Sequence, residues 1–253
     1  MAITFTANRT SNIRIERGAY KMNKKLVFSL IFFMLILLSG GCGGGGGGGS
    51  TSVTTGAVTD TGAASLDLGL SALNSANPNY YSAKVQLNQV LANPQTSTGD
   101  KTTAYSALGW ADFKSSSGST DIDAALENFS GAVTTSQNGG VPASSLNQAY
   151  FGMAAALIVK SSENQDIAKI SDAITNLNSA GLSNVSSVYA DDRIKTNVTN
   201  EEARGYKAFL HYMRNDVNAG DPKEFADNLS KVSPNSSNRN AQLMYETLQS
   251  ISQ

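Results

Sequence analysis

Apolar side chains recur at helical spacing along the chain from residue 63 to its end. Intervals of three, four and seven residues line one face of an α-helix, whereas a half-buried strand alternates apolar and polar positions. No sustained alternation occurs in this region. The clearest stripe consists of Ala203, Tyr206, Leu210, Met213 and Val217. The pattern therefore predicts an all-α domain over residues 63–253.

A recurring frame places a glycine on one predicted helix and a large apolar residue on the next. The four frames are Leu68-Gly69 with Ala83, Leu87 and Val90; Leu108-Gly109 with Ala125, Phe129 and Ala132; Phe151-Gly152 with Ile170, Ile174 and Leu177; and Arg204-Gly205 with Phe225, Leu229 and Val232. A glycine lets two helices approach closely, and the large side chain opposite fills the gap. The frames predict four helix pairs. A last amphipathic segment ending at Ile251 is predicted to cap the final apolar face.

The second frame resembles the tetratricopeptide repeat (TPR) family. In that family an aromatic residue, Leu and Gly mark the first helix, and Ala, an aromatic residue and Ala mark the second. The resemblance implies antiparallel helix pairs stacked as a TPR-like right-handed solenoid with a C-terminal capping helix. The Gly-to-Gly spacings are 40, 43 and 53 residues, against about 34 in the family. They predict insertions between helices, at residues 115–119, 134–141 and 181–200. The alternative is an irregular all-helical domain without true repeats.

The N-terminal region carries a different pattern, a short apolar run preceded by lysines. The run from Leu26 to Leu38 is thirteen residues long. A helix of that length spans about 20 Å, which is less than the bilayer core of about 30 Å. It matches the apolar region of a secretory signal. Because the stretch from Met22 forms a complete signal by itself, a start at Met22 is an alternative to Met1.

Cys42 is the single cysteine of the chain and follows this run directly. Leu38-Ser39-Gly40-Gly41-Cys42 resembles the lipobox of bacterial lipoproteins, although Leu lies one position earlier than usual. The resemblance implies that residues 1–42 form a signal region and that Cys42 carries the membrane-anchoring lipid. An ordinary cleaved signal with an incidental cysteine is the alternative. With one cysteine, no internal disulfide can form.

Composition separates the tether from the domain and sets the charge of each part. Residues 43–62 begin with seven glycines and continue rich in Ser, Thr and Gly. They are predicted to form a flexible tether spanning about 25 Å. Lys and Arg exceed Glu by five before Cys42, and the remainder has a net charge of −6. An acidic domain of this kind disfavours nucleic acid as a partner.

Catalytic and metal-binding patterns are lacking in the sequence. His211 is the only histidine, so no common Cys/His zinc site can be assembled. His211 lies one residue past the apolar stripe of its helix, which favours a partly exposed helix residue over a base. Asp121 and Asp123 are interpreted as first-turn acids of a helix rather than as a cation site. We expect no enzymatic activity, no cofactor and no bound metal. Asp191-Asp192-Arg193 is interpreted as a solvated linker, with a binding loop as the alternative.

The TPR resemblance also implies a binding surface, because the first helices of the pairs line a groove in that family. The positions carried over to this chain are Trp110, Phe113, Lys114, Met153, Tyr206 and Phe209. Aromatic side chains frequently anchor interfaces, although aromatic residues on helix faces also form cores.

The sequence thus predicts a lipid-tethered scaffold or adaptor that binds a protein or peptide partner in the bacterial cell envelope. The resemblance to TPR lipoproteins of outer-membrane assembly and pilus biogenesis implies the periplasmic face of the outer membrane, reached through the lipid on Cys42. A helical lipoprotein that binds a small-molecule ligand is the alternative, and it requires an apolar pocket with a few convergent polar groups.

Overall fold

The computed structural model describes residues 62–116, 118–139, 141, 146–164, 166–184, 194 and 198–252. Over these ranges the secondary structure is entirely helical, which confirms the predicted all-α class. The helices are α1 Ala63–Asn74, α2 Tyr80–Ala92, α3 Thr98–Ser115, α4 Ser119–Gly139, α5 Asn147–Asn164, α6 Ile167–Leu177, α7 Asn200–Arg214, α8 Asp221–Leu229 and α9 Arg239–Ile251. A π-helical turn, Asn178–Leu182, continues α6.

Side-chain caps fix where several of these helices begin. A cap oxygen accepts a hydrogen bond from a backbone N–H that has no partner within the helix, which is worth about 1 kcal/mol. Thr199 and Glu202 form a reciprocal capping box at the start of α7. The caps of α2, α3, α6, α7 and α9 are Asn79, Ser97, Asp166, Thr199 and Asn238.

From α1 to α8, helices that follow one another in the chain pack together. The pairs α1–α2, α3–α4, α5–α6 and α7–α8 correspond to the four predicted frames, and α9 packs on α7. Contacts also join α1 to α3 and α3 to α5. The Phe151 ring of α5 meets the Tyr206 ring of α7 with centroids 5.8 Å apart. The odd-numbered helices therefore contact one another in series.

The frame glycines lie at close approaches between helices. A Cβ on Gly69 would come within 2.8 Å of Leu87, and one on Gly109 within 2.5 Å of Phe129, both across the predicted pair. The other two differ from the expectation. Gly152 of α5 faces Phe129 of α4, in the preceding pair, and Gly205 of α7 faces Met244 of α9.

Two predicted boundaries also differ from the structure. Residues 134–139, expected within an insertion, continue α4. The α7 stripe was expected to reach Val217, but α7 ends at Arg214 and Val217 is exposed. Asn215, with a left-handed φ of 47°, terminates α7, and its N–H donates to the His211 carbonyl at 2.9 Å. Among the described helices, none combines the length and the apolar character needed to cross a bilayer.

Candidate functional site

Four of the six side chains expected to line a groove lie in the hydrophobic core. Trp110 has no exposed surface, and Phe113, Tyr206 and Phe209 are also buried. Because a partner can contact only accessible surface, these four rings stabilise the packing of α3 and α7. Their burial corresponds to the alternative that the sequence left open, in which aromatic residues on helix faces form the core.

Trp110 is the centre of a cluster of rings that joins four helices. Its indole N–H donates to the Gln148 carbonyl at 3.1 Å, so the polar edge of the buried ring is satisfied. Its ring stacks on Phe151, at 6.3 Å and 19°, and meets the edges of Phe113 and Phe129 at 5.9 and 5.6 Å. Edge-to-face and offset-stacked pairs of this kind add to the stabilisation that burial provides. The Phe151–Tyr206 contact extends the cluster from α3 and α4 through α5 to α7.

Lys114 and Met153 are the two predicted positions that remain partly accessible. The Lys114 ammonium lies 5.8 Å from the centroid of the Trp110 ring, within range of a cation–π interaction. Met153 is half-buried and packs against the core from α5. The helices that carry these two residues, α3 and α5, contact each other.

Sequence reasoning missed a second constellation, a set of polar side chains between α7 and α8. We call it the α7–α8 polar cluster. Its α7 members are spaced at three, four and three residues, and its α8 members at three and four, so each set occupies one helix face. This spacing was a readable signal in the sequence. The members are Arg204, Lys207, His211 and Arg214 of α7 and Asp221, Glu224 and Asn228 of α8.

The Asp221 carboxylate is fully buried at the centre of the cluster. It accepts hydrogen bonds from Arg214 Nε at 2.9 Å and Nη2 at 2.7 Å, and from the Asp216 N–H at 2.7 Å. Its Oδ1 also lies 2.6 Å from His211 Nδ1. Burial raises the pKa of Asp221, but the bonds from Arg214, His211 and Asp216 outweigh it and leave that pKa below its ordinary value.

His211 differs from its expected position, because its side chain is 4% exposed rather than partly open to water. With Nδ1 protonated, the ring donates to Asp221. Nε2 is buried with no hydrogen-bond partner in the described part of the chain. Its nearest carboxylate oxygen is Glu224 Oε2 at 4.0 Å. Burial lowers the pKa of His211 below 6.5, although the Asp221 bond raises it.

Arg204 and Lys207 are buried cations that bind the end of the π turn and the residues just after it. Arg204 Nη2 donates to the Asn184 carbonyl at 2.7 Å, and Nη1 donates to Asn228 Oδ1 at 3.0 Å. Lys207 Nζ donates to the Leu182 carbonyl at 2.7 Å and lies 3.8 Å from Glu224. Burial lowers the pKa of both groups. Arg204 therefore occupies the buried frame position that corresponds to Leu108, with both terminal guanidinium nitrogens bonded to acceptors.

The remaining candidate positions divide between surface contacts and undescribed segments. Asp123 forms an ion pair with Lys160 of α5, and Asp121 lies in the first turn of α4. Across the ranges that the structure describes, no group of three His, Cys, Asp or Glu side chains is placed to hold a metal ion. Cys42, the tether 43–61 and Asp191-Asp192-Arg193 lie outside the described residues.

Comparison with known protein families, characterised proteins and solved structures finds no match for this chain. Two arrangements on these helices bear on function. One is the surface along α3 and α5, and the other is the α7–α8 polar cluster. The cluster contains the buried pair His211–Asp221, but Nε2 of His211, the nitrogen that does not face Asp221, is buried away from solvent. This geometry suits a structural linkage better than proton exchange with a substrate.

Proposed function

We propose that this protein is a membrane-tethered, TPR-like scaffold that holds a protein or peptide partner in the bacterial cell envelope. The observation that carries the proposal is the packing of α1, α3 and α5 in series, each also packed against the helix that follows it. Stacked helix pairs with this connectivity form extended surfaces on which repeat proteins bind partners.

The proposed binding surface runs along the odd-numbered helices and includes Lys114 and Met153. A thioether side chain adapts to partners of different shape, and an ammonium group supplies three hydrogen-bond donors and a positive charge. Close contact of Gly69 and Gly109 with the following helices supports tightly packed helix pairs of the TPR type. The net charge of −6 beyond Cys42 favours a protein partner over a nucleic acid.

The proposed anchor is a lipid on Cys42, joined to the helices by residues 43–62, at the periplasmic face of the outer membrane. The support is the sequence pattern, namely lysines, a thirteen-residue apolar run and then Cys42 followed by seven glycines. The protein acts by positioning its partner and carries out no reaction. The sealed Nε2 of His211 supports this non-enzymatic role.

Site-specific photo-crosslinking in intact host cells tests the surface directly. A photoreactive amino acid replaces Lys114 or Met153, and matched controls carry it at exposed Asn88 of α2 or Glu127 of α4. We expect crosslinks to one discrete protein from the first two positions and none from the controls. Circular dichroism checks that all four variants fold. Equal crosslinking from all four positions, or none from any, contradicts the proposed surface.

A separate experiment tests the anchor. Host cells receive a fatty acid that carries a clickable group and express either the natural chain or Cys42→Ala. We expect the label on the natural chain alone, and we expect the variant to leave the membrane fraction. Membrane retention of unlabelled Cys42→Ala contradicts lipid anchoring at this residue.

A further inference from the structure

We propose that the α7–α8 hairpin is an acid-responsive element, whose packing loosens when His211 gains a proton. This inference goes beyond the proposed function and does not depend on it. It rests on one geometrical fact, that the only histidine of the chain is held between two helices with one ring nitrogen satisfied and the other sealed.

Protonation adds a donor where the folded hairpin supplies no acceptor within bonding distance. Nε2 of the neutral ring needs no donor opposite it, but Nε2–H of the imidazolium needs an acceptor within about 3.2 Å. Glu224 Oε2 stands at 4.0 Å. The ring is already fixed by Asp221 through Nδ1. The new N–H can therefore reach an acceptor only if the Glu224 side chain moves, if α8 moves, or if water enters.

The charged side chains around His211 come from α7 and α8. Asp221 and Glu224 of α8 attract the imidazolium, and Lys207 of α7 repels it. Arg214 of α7 and the Asp216 N–H already hold the Asp221 carboxylate. The π turn contributes the Leu182 carbonyl, which accepts from Lys207 and keeps that ammonium in place.

In the described part of the chain, two further contacts of α7, with α9 and with α5, are made by uncharged side chains. Met244 of α9 faces Gly205 and the Phe151 ring of α5 faces Tyr206. Burial, the largest influence on His211, therefore prevails over the two carboxylates and disfavours the charged ring.

The direction of the pH effect follows from proton binding in the folded and unfolded chains. Unfolded His211 takes up its proton near pH 6.5, whereas the folded hairpin resists it to lower pH. Below about pH 7 the unfolded chain consequently binds more protons, and stability falls as the pH falls. Asp221 stays ionised over this window, because its pKa is below the ordinary carboxyl value. His211 is thus the group of the cluster whose lowered pKa predicts a loss of stability on acidification.

The test measures the histidine and the hairpin separately on the full-length chain. The single histidine gives one unambiguous ring signal in an NMR titration. Hydrogen exchange, corrected for the intrinsic rate, reports the protection of α7 and α8 amides. We expect the His211 ring to titrate with a midpoint below pH 6.5. We also expect the α7 and α8 amides to lose protection from exchange severalfold on acidification, with less change in α3. His211→Gln, which keeps a donor for Asp221 and does not titrate, should retain its protection.

A midpoint at or above 6.5, unchanged protection in the natural chain, or an equal loss of protection in His211→Gln overturns the proposal. Glu224→Gln provides a second variant should His211→Gln fail to fold. It removes the carboxylate nearest Nε2, so the midpoint should move to lower pH and the loss of protection should move with it. A midpoint that stays in place overturns the proposed role of this geometry.

Discussion

Phe129 shows how much of this fold a single side chain determines. The ring is fully buried on α4 and lies against Gly109 of α3 and Gly152 of α5. A Cβ at Gly152 would stand 2.2 Å from the ring, and one at Gly109 would stand 2.5 Å from it. Two glycines on different helices are therefore required by the same ring, and Phe129 links the pair α3–α4 to the helix that follows.

The first prediction concerns this close approach. Gly109→Ala should destabilise the fold by about 1–3 kcal/mol, because the added methyl overpacks the core. In Gly109→Ala/Phe129→Leu the smaller side chain frees the space, so the double variant should lose less stability than the two single variants together. Denaturant unfolding measures all three.

Gly99→Ala is the matched control in the same helix. A Cβ there meets only Ser97 Oγ at 3.9 Å. It should leave stability unchanged or raise it by up to about 1 kcal/mol. Additive losses for Gly109 and Phe129 would contradict the proposed shared space.

The second prediction concerns the buried carboxylate of Asp221. Asp221→Ala leaves Arg214 and His211 without their acceptor inside the protein, which should cost about 3–5 kcal/mol of unfolding free energy at pH 7. Asp227→Ala is the control on the same helix, where an accessible carboxylate pairs with exposed Lys223. It should change stability little, since water screens such pairs. Comparable losses in the two variants would contradict the central position of Asp221.

At the scale of elements, the ends of α6 and α7 decide how the last helices meet. The π turn extends α6, and two buried cations of α7 bind the Leu182 carbonyl at the end of the turn and the Asn184 carbonyl beyond it. Cations near the C-terminal end of a helix also interact favourably with its dipole. Within this turn Gly181 has φ of 91°, a conformation that disfavours residues with a Cβ.

The third prediction isolates this backbone conformation. Gly181→Ala should destabilise the protein by about 1–3 kcal/mol through strain alone, because the nearest atom to an added Cβ, Asn147 Nδ2, lies 3.7 Å away. Gly181→Asn should recover part of the loss, since Asn tolerates positive φ better than Ala. Urea unfolding of the two variants provides the comparison. An alanine variant as stable as the natural chain would show that the turn relaxes to negative φ.

At the scale of the whole molecule, the aromatic cluster connects successive helix pairs. Trp110, Phe151 and Tyr206 form an unbroken run of ring contacts from α3 through α5 to α7. Repeat arrays are stabilised mainly by contacts between neighbours, so their cooperativity depends on such interfaces. Burial raises the pKa of Tyr206, which keeps this ring uncharged at physiological pH.

The fourth prediction uses Trp110, the only tryptophan, as a local reporter. In denaturant, its fluorescence and the helical circular dichroism should change with one common midpoint, because the ring run couples α3 to α7. Phe151→Leu interrupts the run and should separate the two transitions. Separate midpoints in the natural chain would show instead that the helix pairs unfold independently.

The sequence by itself determined the helical class, the frame glycines and the pairing of consecutive helices. These features depend on local periodicity, and the 3.6-residue repeat can be read without a partner. The lipobox-like segment at Cys42 is likewise a feature of sequence, and its role remains a prediction. The spacing of Arg204, Lys207 and His211 was also present in the chain, but a stripe of cations is ordinarily a solvated face.

Only the tertiary structure decided which faces are buried and what fills each gap. Gly205 meets Met244 of α9 rather than a residue of α8 because α9 covers that side of α7. Trp110 and Tyr206 are core residues because α5 supplies a ring between them. His211 is buried because α8 brings Asp221 to it. The burial of these polar side chains depends on how two helices meet. The helical periodicity of one segment carries no information about how that segment packs against another.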